Sequence, residues 1–257
     1  MMIESLHSPH VARVKALLSS KKERKEQALF IAEGLQGVRE ALKTQNSIET
    51  LYLTESGSER VSKAGLDVSL VNLVAISEKV AEAMSDAITS QGIIAICRIP
   101  SKELDFHVLD LSAKHVVYLN EIQDPGNAGT ILRSADAMAI GAVISSPGSV
   151  DFYSPKVVRS TAGSLWHIPL FQGISLDELR IKLPNHNCHL LTGNGEQDIN
   201  TLNFNAPAIW IFGNEARGVQ EEISGVKKIS IPMPGNAESL NLAAAASIVM
   251  YQISRGK

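Results

Sequence analysis

The sequence predicts an α/β protein made of two successive α/β units, the second built on a mostly parallel sheet. Three observations carry that prediction. Strand-like apolar runs alternate with segments of helical spacing from residue 28 onward. A polar stretch with Pro100 and no periodicity interrupts the alternation near residues 98–112. At 257 residues, 44% hydrophobic and 20% charged, the chain is long enough to bury a sizeable core and leaves room for two domains.

The elements follow in order. The first 25 residues are helical in character and end in Lys21-Lys22-Glu23-Arg24-Lys25, which reads either as a solvated helix or as a basic binding face. Residues 28–32 form a strand, and Glu33-Gly34 breaks it. Leu35, Val38 and Leu42 mark a helix to residue 43. Strands are expected at 51–53, within 69–76 and at 92–97, with a helix capped by Ser77 between the last two. These make an N-terminal domain of residues 1–100. A linker is expected at 101–114. The domain at 115–257 then alternates strands at 116–119, 142–145, 189–191, 209–212 and 229–231 with helices near 128–140, 154–165, 175–182, 216–224 and 239–254. In parallel sheets of this kind ligands bind beyond the carboxyl ends of the strands.

Composition narrows the function. The net charge of −3 and pI near 6.2 argue against strong non-specific nucleic-acid binding, so RNA affinity would have to be local. Cys97 and Cys188 stand far apart, outside any CxxC pattern, which fits a reducing, cytoplasmic setting. The start has no secretory pattern, and no apolar run approaches the roughly 20 residues of a membrane span. The seven histidines show no metal-ligand spacing, and most read as surface or strand-end residues. GxGxxG after a strand, Walker A and Gly-x-Ser-x-Gly are all absent from the sequence.

Three segments at strand ends carry chemistry. The first is Asp124-Pro125-Gly126-Asn127, with Asn127 expected to cap a helix whose apolar stripe leaves Arg133 and Asp136 outside. Arg133 either forks onto a phosphate or pairs with Asp136 at the surface. The second is Phe212-Gly213-Asn214-Glu215-Ala216-Arg217-Gly218, where glycine lets backbone approach a ligand. The third is Ile231-Pro232-Met233 followed by Ser239-Leu240-Asn241, a turn that presents backbone amides ahead of an alanine-rich helix.

In this order and spacing the three segments resemble the three motifs of the SpoU/TrmH family of SPOUT methyltransferases, over residues of about 115–257. Phe30-Ile31-Ala32-Glu33-Gly34 looks like the start of that family's N-terminal substrate-binding domain, which resembles small ribosomal proteins that bind RNA. The resemblance implies a catalytic domain with a deep trefoil knot, a homodimer, and methyl transfer from S-adenosylmethionine to a ribose 2′-hydroxyl of RNA, with no metal and no membrane. It assigns cofactor contacts to Thr192, Gly193, Gly213, Ile231 and Leu240. Catalysis would rest on Arg133, with Asn127 orienting it or the ribose, and with Glu215, Ser239 and Asn241 positioning the target nucleotide. RNA would be held by Lys21, Lys22, Arg24, Lys25 and Arg39, with Lys15, and by Lys156 and Arg159 near the catalytic site. The N-terminal domain favours ribosomal RNA. Transfer RNA as substrate, a resistance role through ribosomal RNA, and a non-catalytic RNA-binding or ribosome assembly factor on the same fold are the alternatives.

Overall fold

Short polar residues start the first helices. The Ser8 hydroxyl accepts the amide of His10 and Pro9 takes the first helical position, so α1 runs Pro9–Ser19. The Ser20 hydroxyl accepts the Glu23 amide and opens α2, Lys21–Gln27, which Ala28 ends in the left-handed conformation. The structure is a computed structural model that describes residues 2–100, 110–214, 217–219 and 223–256. It divides into two compact units, Met1–Ser101 with Asp151–Trp166, and Lys102–Val150 with His167–Lys257. Of the linker expected at 101–114, residues 101–109 lie outside the described set.

The first unit continues with β1 (Leu29–Glu33), α3 (Gly34–Lys43), β2 (Ile48–Leu53), α4 (Glu55–Lys63), β3 (Leu73–Ala75), α5 (Glu78–Ala83) and β4 (Ile93–Arg98). Its sheet has the order β1-β4-β2-β3, with β4 antiparallel to both neighbours and β3 parallel to β2. Val11, Val14 and Leu17 of α1 pack with Ile31, Ile94 and Ile96 on one face. Strand alternation sends Phe30 to the other face. There it meets the downstream segment, its ring 5.0 Å from Tyr153 and 5.8 Å from Trp166. The helix α4 was not expected. Its sequence is rich in Ser and Gly, buries only Gly57 and Val61, and is started by Thr54 accepting the Gly57 amide.

Arg24 departs from the expected RNA face. It is 5% exposed. Its Nε donates to Asp151 Oδ2 at 2.8 Å, and Nη1 donates to the carbonyls of Leu17 and Leu18 at 2.6 and 3.1 Å. Those carbonyls end α1 and have no helical donor of their own, which is why an arginine one turn into the next helix is drawn inward. Lys15, Lys21, Lys22 and Lys25 stay exposed, while Arg39 is half-buried with Nη1 3.5 Å from Gln36 Oε1. Lys156 and Arg159 fall in the first unit, and Arg159 pairs with Asp86 at 2.9 Å.

In chain order there follow β5 (Val116–Leu119), α6 (Pro125–Ala137), β6 (Ala142–Ser145), α7 (Pro155–Ser160, inside the segment of the first unit), β7 (Leu170–Gln172), α8 (Leu176–Lys182), β8 (Asn187–Leu191), β9 (Gln197–Asp198), β10 (Ala208–Phe212), β11 (Lys227–Ser230) and α9 (Leu242–Arg255). The second unit's sheet has seven strands in the order β7-β6-β5-β10-β8-β11-β9, and every pair is parallel. The central strands β5, β6 and β10 are buried along their whole length, as expected of a sheet covered on both faces.

Several local expectations change. Asp124, not Asn127, caps α6: Asp124 Oδ1 accepts the Asn127 amide at 2.6 Å and Pro125 supplies the first helical residue. Asn241 caps α9, so that helix starts at Leu242 and residues 231–240 are irregular. Around the helix expected at 216–224, Ala216 and residues 220–222 lie outside the described set, and Arg217-Gly218 form a turn. Of the histidines expected at the surface or at strand ends, His115 and His186 do stand at the starts of β5 and β8, but they and His189 within β8 are buried. His115 Nε2 faces the Phe204 carbonyl at 2.8 Å and Nδ1 accepts the Trp210 indole N–H at 3.3 Å. The His189 ring lies tilted by 36° against Trp210 at 4.8 Å, and burial, with Lys227 and His115 nearby, holds its pKa down to about 4.

Candidate active site

Because β8, β10 and β11 run parallel, their carboxyl ends emerge together, and the turns that follow them wall a cleft of about 700 Å³. Thr192 and Gly193 follow β8, Gly213 and Asn214 follow β10, and Ile231 follows β11. Ser239, Leu240 and Asn241 close the cleft ahead of α9, and Asn127 reaches it from α6. Eight of the ten residues assigned to cofactor binding or catalysis therefore stand around one cavity. Two do not: Arg133 is not part of the lining, and Glu215 lies outside the described residues.

Two glycines let the backbone close up. A Cβ on Gly213 would stand 2.6 Å from the Gly218 carbonyl carbon, where the loop folds back and Asn214 and Gly218 pair through N–H···O bonds of 3.1 and 2.8 Å. A Cβ on Gly195 would stand 2.3 Å from the Ile229 carbonyl carbon, so that loop lies flat against β11. The cleft is thus walled by peptide groups together with Leu190, Val219 and Met233. Its size and mixture of apolar side chains with exposed peptide groups fit a nucleoside-sized ligand.

Asn214 had drawn no role from the sequence. It is 7% exposed, its Nδ2 donates to the Glu121 carbonyl at 2.9 Å, and its Oδ1 accepts the Arg217 amide at 3.1 Å. It ties the turn after β10 to the turn after β5, where Glu121 holds the left-handed φ of 54°. An asparagine beside glycine after a buried strand was the available signal. Lys228 is a second omission: it is the one charged side chain among the described lining residues.

The polar end of the cleft is built by two helix starts. Asn241 Oδ1 accepts the Ala243 and Ala244 amides at 2.9 and 3.2 Å, and its Nδ2 donates to Asn127 Oδ1 at 3.0 Å. Both helices thereby aim their amino ends, and the positive end of their dipoles, at the same place. Arg133 is exposed on α6, two turns beyond its start, and makes no hydrogen bond or ion pair among the described residues. Its alternative partner is taken: Asp136 pairs with His167 at 2.9 Å. A cation with no internal partner among the described residues, on the helix whose start opens on the cleft, suits a phosphate or a developing oxyanion. Among the described residues no group of three His, Cys, Asp or Glu could hold a metal ion. No described helix is long and apolar enough to cross a membrane.

Comparison with known proteins agrees with this geometry. The solved AdoMet-bound rRNA methyltransferase from Sinorhizobium meliloti superposes with a TM-score of 0.86 at 29% identity, over 99% of this chain and 97% of that one. The SpoU methyltransferase AviRb from Streptomyces viridochromogenes shares the fold, with a TM-score of 0.83 at 24% identity over 97% and 98%. Sheet and cleft together define a methyltransferase of the SPOUT class. Residues 114–251 match the SpoU rRNA Methylase family, and residues 9–95 match the MRM3-like substrate binding domain. The 23S rRNA (guanosine(2553)-2′-O)-methyltransferase RlmP of Bacillus subtilis (strain 168) is 32% identical over 92% of each chain. The chain belongs to the SpoU rRNA methylase family.

Proposed function

We propose that this chain is an S-adenosylmethionine-dependent methyltransferase that modifies a ribose 2′-hydroxyl of ribosomal RNA. The observation that carries the reading is the cleft, where the turns after β8, β10 and β11 meet Asn127 and Asn241 at two helix starts. The similarity to a 23S rRNA 2′-O-methyltransferase over 92% of the chain supports the ribosomal substrate, as does the match of residues 9–95 to a substrate-binding domain.

S-adenosylmethionine supplies a methyl group on a sulfonium whose departure as a neutral thioether needs no metal. Gly213, Ile231, Leu240, Thr192 and Gly193, which line the cleft, would hold it. Leu190 and Met233 keep water from its apolar parts. Arg133 grips the phosphate beside the target nucleotide and stabilises negative charge on the 2′-oxygen as its proton passes to solvent or to that phosphate. Arginine stays protonated at neutral pH, so this role is electrostatic and not that of a base. Asn127 and Asn241 orient the ribose, Ser239 shapes the nucleotide pocket, Glu215 has the nucleotide-positioning role that the family resemblance implies, and Lys21, Lys22 and Lys25 hold RNA. Ile248 and Tyr251, 37% and 51% exposed on α9, suit a contact with a second copy of the chain. The knot implied by the family and a cytoplasmic place of action belong to the same reading.

The test is methyl transfer from labelled S-adenosylmethionine to total RNA of a strain lacking the gene, with Arg133→Ala as control. Label in large ribosomal RNA that falls about 100-fold or more in the variant is expected. No label in ribosomal RNA or ribosomal subunits, with S-adenosylhomocysteine still bound, would overturn the proposal.

A further inference from the structure

We infer that Ser134 and Ser247 are positioning residues that set Arg133 for methyl transfer by fixing the register of α6 against α9. The inference rests on the function proposed above and concerns a part of the molecule outside the cleft.

The two helices pack side by side and both start at the cleft. Two side-chain hydrogen bonds cross between them. At the start, Asn241 Nδ2 donates to Asn127 Oδ1 at 3.0 Å. Further along, Ser134 Oγ and Ser247 Oγ stand 2.8 Å apart. Ser247 has one hydroxyl proton and gives it to the Ala243 carbonyl at 2.7 Å. Ser134 must therefore be the donor across the interface and Ser247 the acceptor.

Ser134 lies seven residues after Asn127 and Ser247 six after Asn241. At about 1.5 Å per residue the two bonds are roughly 10 Å apart along both helices. One bond alone would let α6 pivot about it. Two fix both its slide and its rotation. Near its start α9 buries Ala243, Ala245 and Ala246, small side chains that form shallow ridges, and the larger Val249, Met250 and Ile253 follow only in later turns.

Arg133 is the residue that feels the rotation. It is adjacent to Ser134, about 100° round the helix, and exposed, with no hydrogen bond or ion pair of its own among the described residues. Side chains reach about 5–6 Å from the helix axis, so a turn of some 20° moves the guanidinium by roughly 2 Å. Displacements of that size matter for a group that must meet one oxygen.

Ser134→Val and Ser134→Thr, nearly isosteric with each other, isolate the hydroxyl, and Ser247→Ala removes the acceptor from the other side. The readouts are single-turnover methyl transfer at saturating RNA, S-adenosylhomocysteine affinity, and the same substitutions in an Arg133→Ala background. Expected are a fall in rate of roughly 3- to 10-fold for Ser134→Val and Ser247→Ala, retention in Ser134→Thr, and S-adenosylhomocysteine affinity within twofold of the parent. No further loss is expected when Ser134→Val is added to Arg133→Ala. An equal loss in that background, a parallel loss of S-adenosylhomocysteine affinity, or parental rates in both hydroxyl-deleted variants would overturn the positioning role. Absence of methyl transfer by the parent protein would instead overturn the proposed function on which it rests.

Discussion

Arg24 in the first unit and Arg133 in the second both sit on helices that follow a polar cap, Ser20 and Asp124. Arg24 is buried, with Asp151 and the last carbonyls of α1 as its acceptors. Arg133 is exposed and makes no internal bond among the described residues. The same side chain thus serves a closed structural network in one place and an open site in the other. What separates them is the neighbouring backbone. A helix end offers carbonyls to Arg24, whereas Arg133 projects from the side of a helix whose carbonyls are already used. A basic residue near a site is therefore evidence of RNA contact only when its local acceptors are satisfied without it.

The comparison can be broken most sharply at Asp151. Asp151→Ala leaves the Arg24 guanidinium buried without its carboxylate, and a loss of about 3–5 kcal/mol in unfolding free energy is expected. Denaturant unfolding of the full chain measures it, and S-adenosylhomocysteine affinity at low temperature should not move. A loss under 1 kcal/mol would mean water reaches the pair. At the open site the effect should fall on ligand and not on fold. Gly213→Ala forces a Cβ against the Gly218 backbone at 2.6 Å, and calorimetry should show S-adenosylhomocysteine bound at least about 10-fold more weakly.

A smaller effect sharpens the same contrast through pH. His189 has its pKa lowered from 6.5 to about 4, first by burial and then by Lys227 and His115. Between those values the unfolded chain binds a proton that the folded chain refuses, so stability is lost as pH falls from about 6.5 to about 4. After allowance for partial solvation this amounts to roughly 1–2 kcal/mol. His189→Gln should flatten the acid limb of a melting-temperature profile, and an unchanged slope would assign that limb to other groups. The smallest effect is expected at the exposed face of α2. Replacing Lys21, Lys22 and Lys25 with Gln should weaken RNA binding several-fold and make its salt dependence shallower by about two to three ions. Including Arg24→Gln should destabilise the fold without adding to that slope.

Much of the second unit could be read from the sequence because its strands are short apolar runs that end at glycine or asparagine. β5, β6 and β10 fall where their runs do, and the turn after β10 walls the cleft together with the turns after β8 and β11. β7 and β9 were not legible, being three and two residues long and half-exposed, so neither length nor periodicity marks them. The α6 start was misplaced because Asp124 and Asn127 are both good caps, and only Pro125 at the first helical position decides between them. Arg24 could not be placed at all. Its acceptors are two carbonyls and a carboxylate 127 residues away, and neither periodicity nor charge counting encodes them. Asn214 was visible as a residue but not as a tie, since its partner is a carbonyl on another strand's turn.

The aromatic cover over Phe30 has a further consequence, in the order of synthesis. β1 is among the first strands to leave the ribosome, yet Tyr153 and Trp166 are made more than a hundred residues later. Until then one face of the first sheet lacks part of its packing, and the N-terminal unit cannot finish folding as domains made first usually do. Nascent chains stalled before residue 166 should be protease-sensitive around β1, and released chains protected there. The first strand to be translated is among the last to be completed.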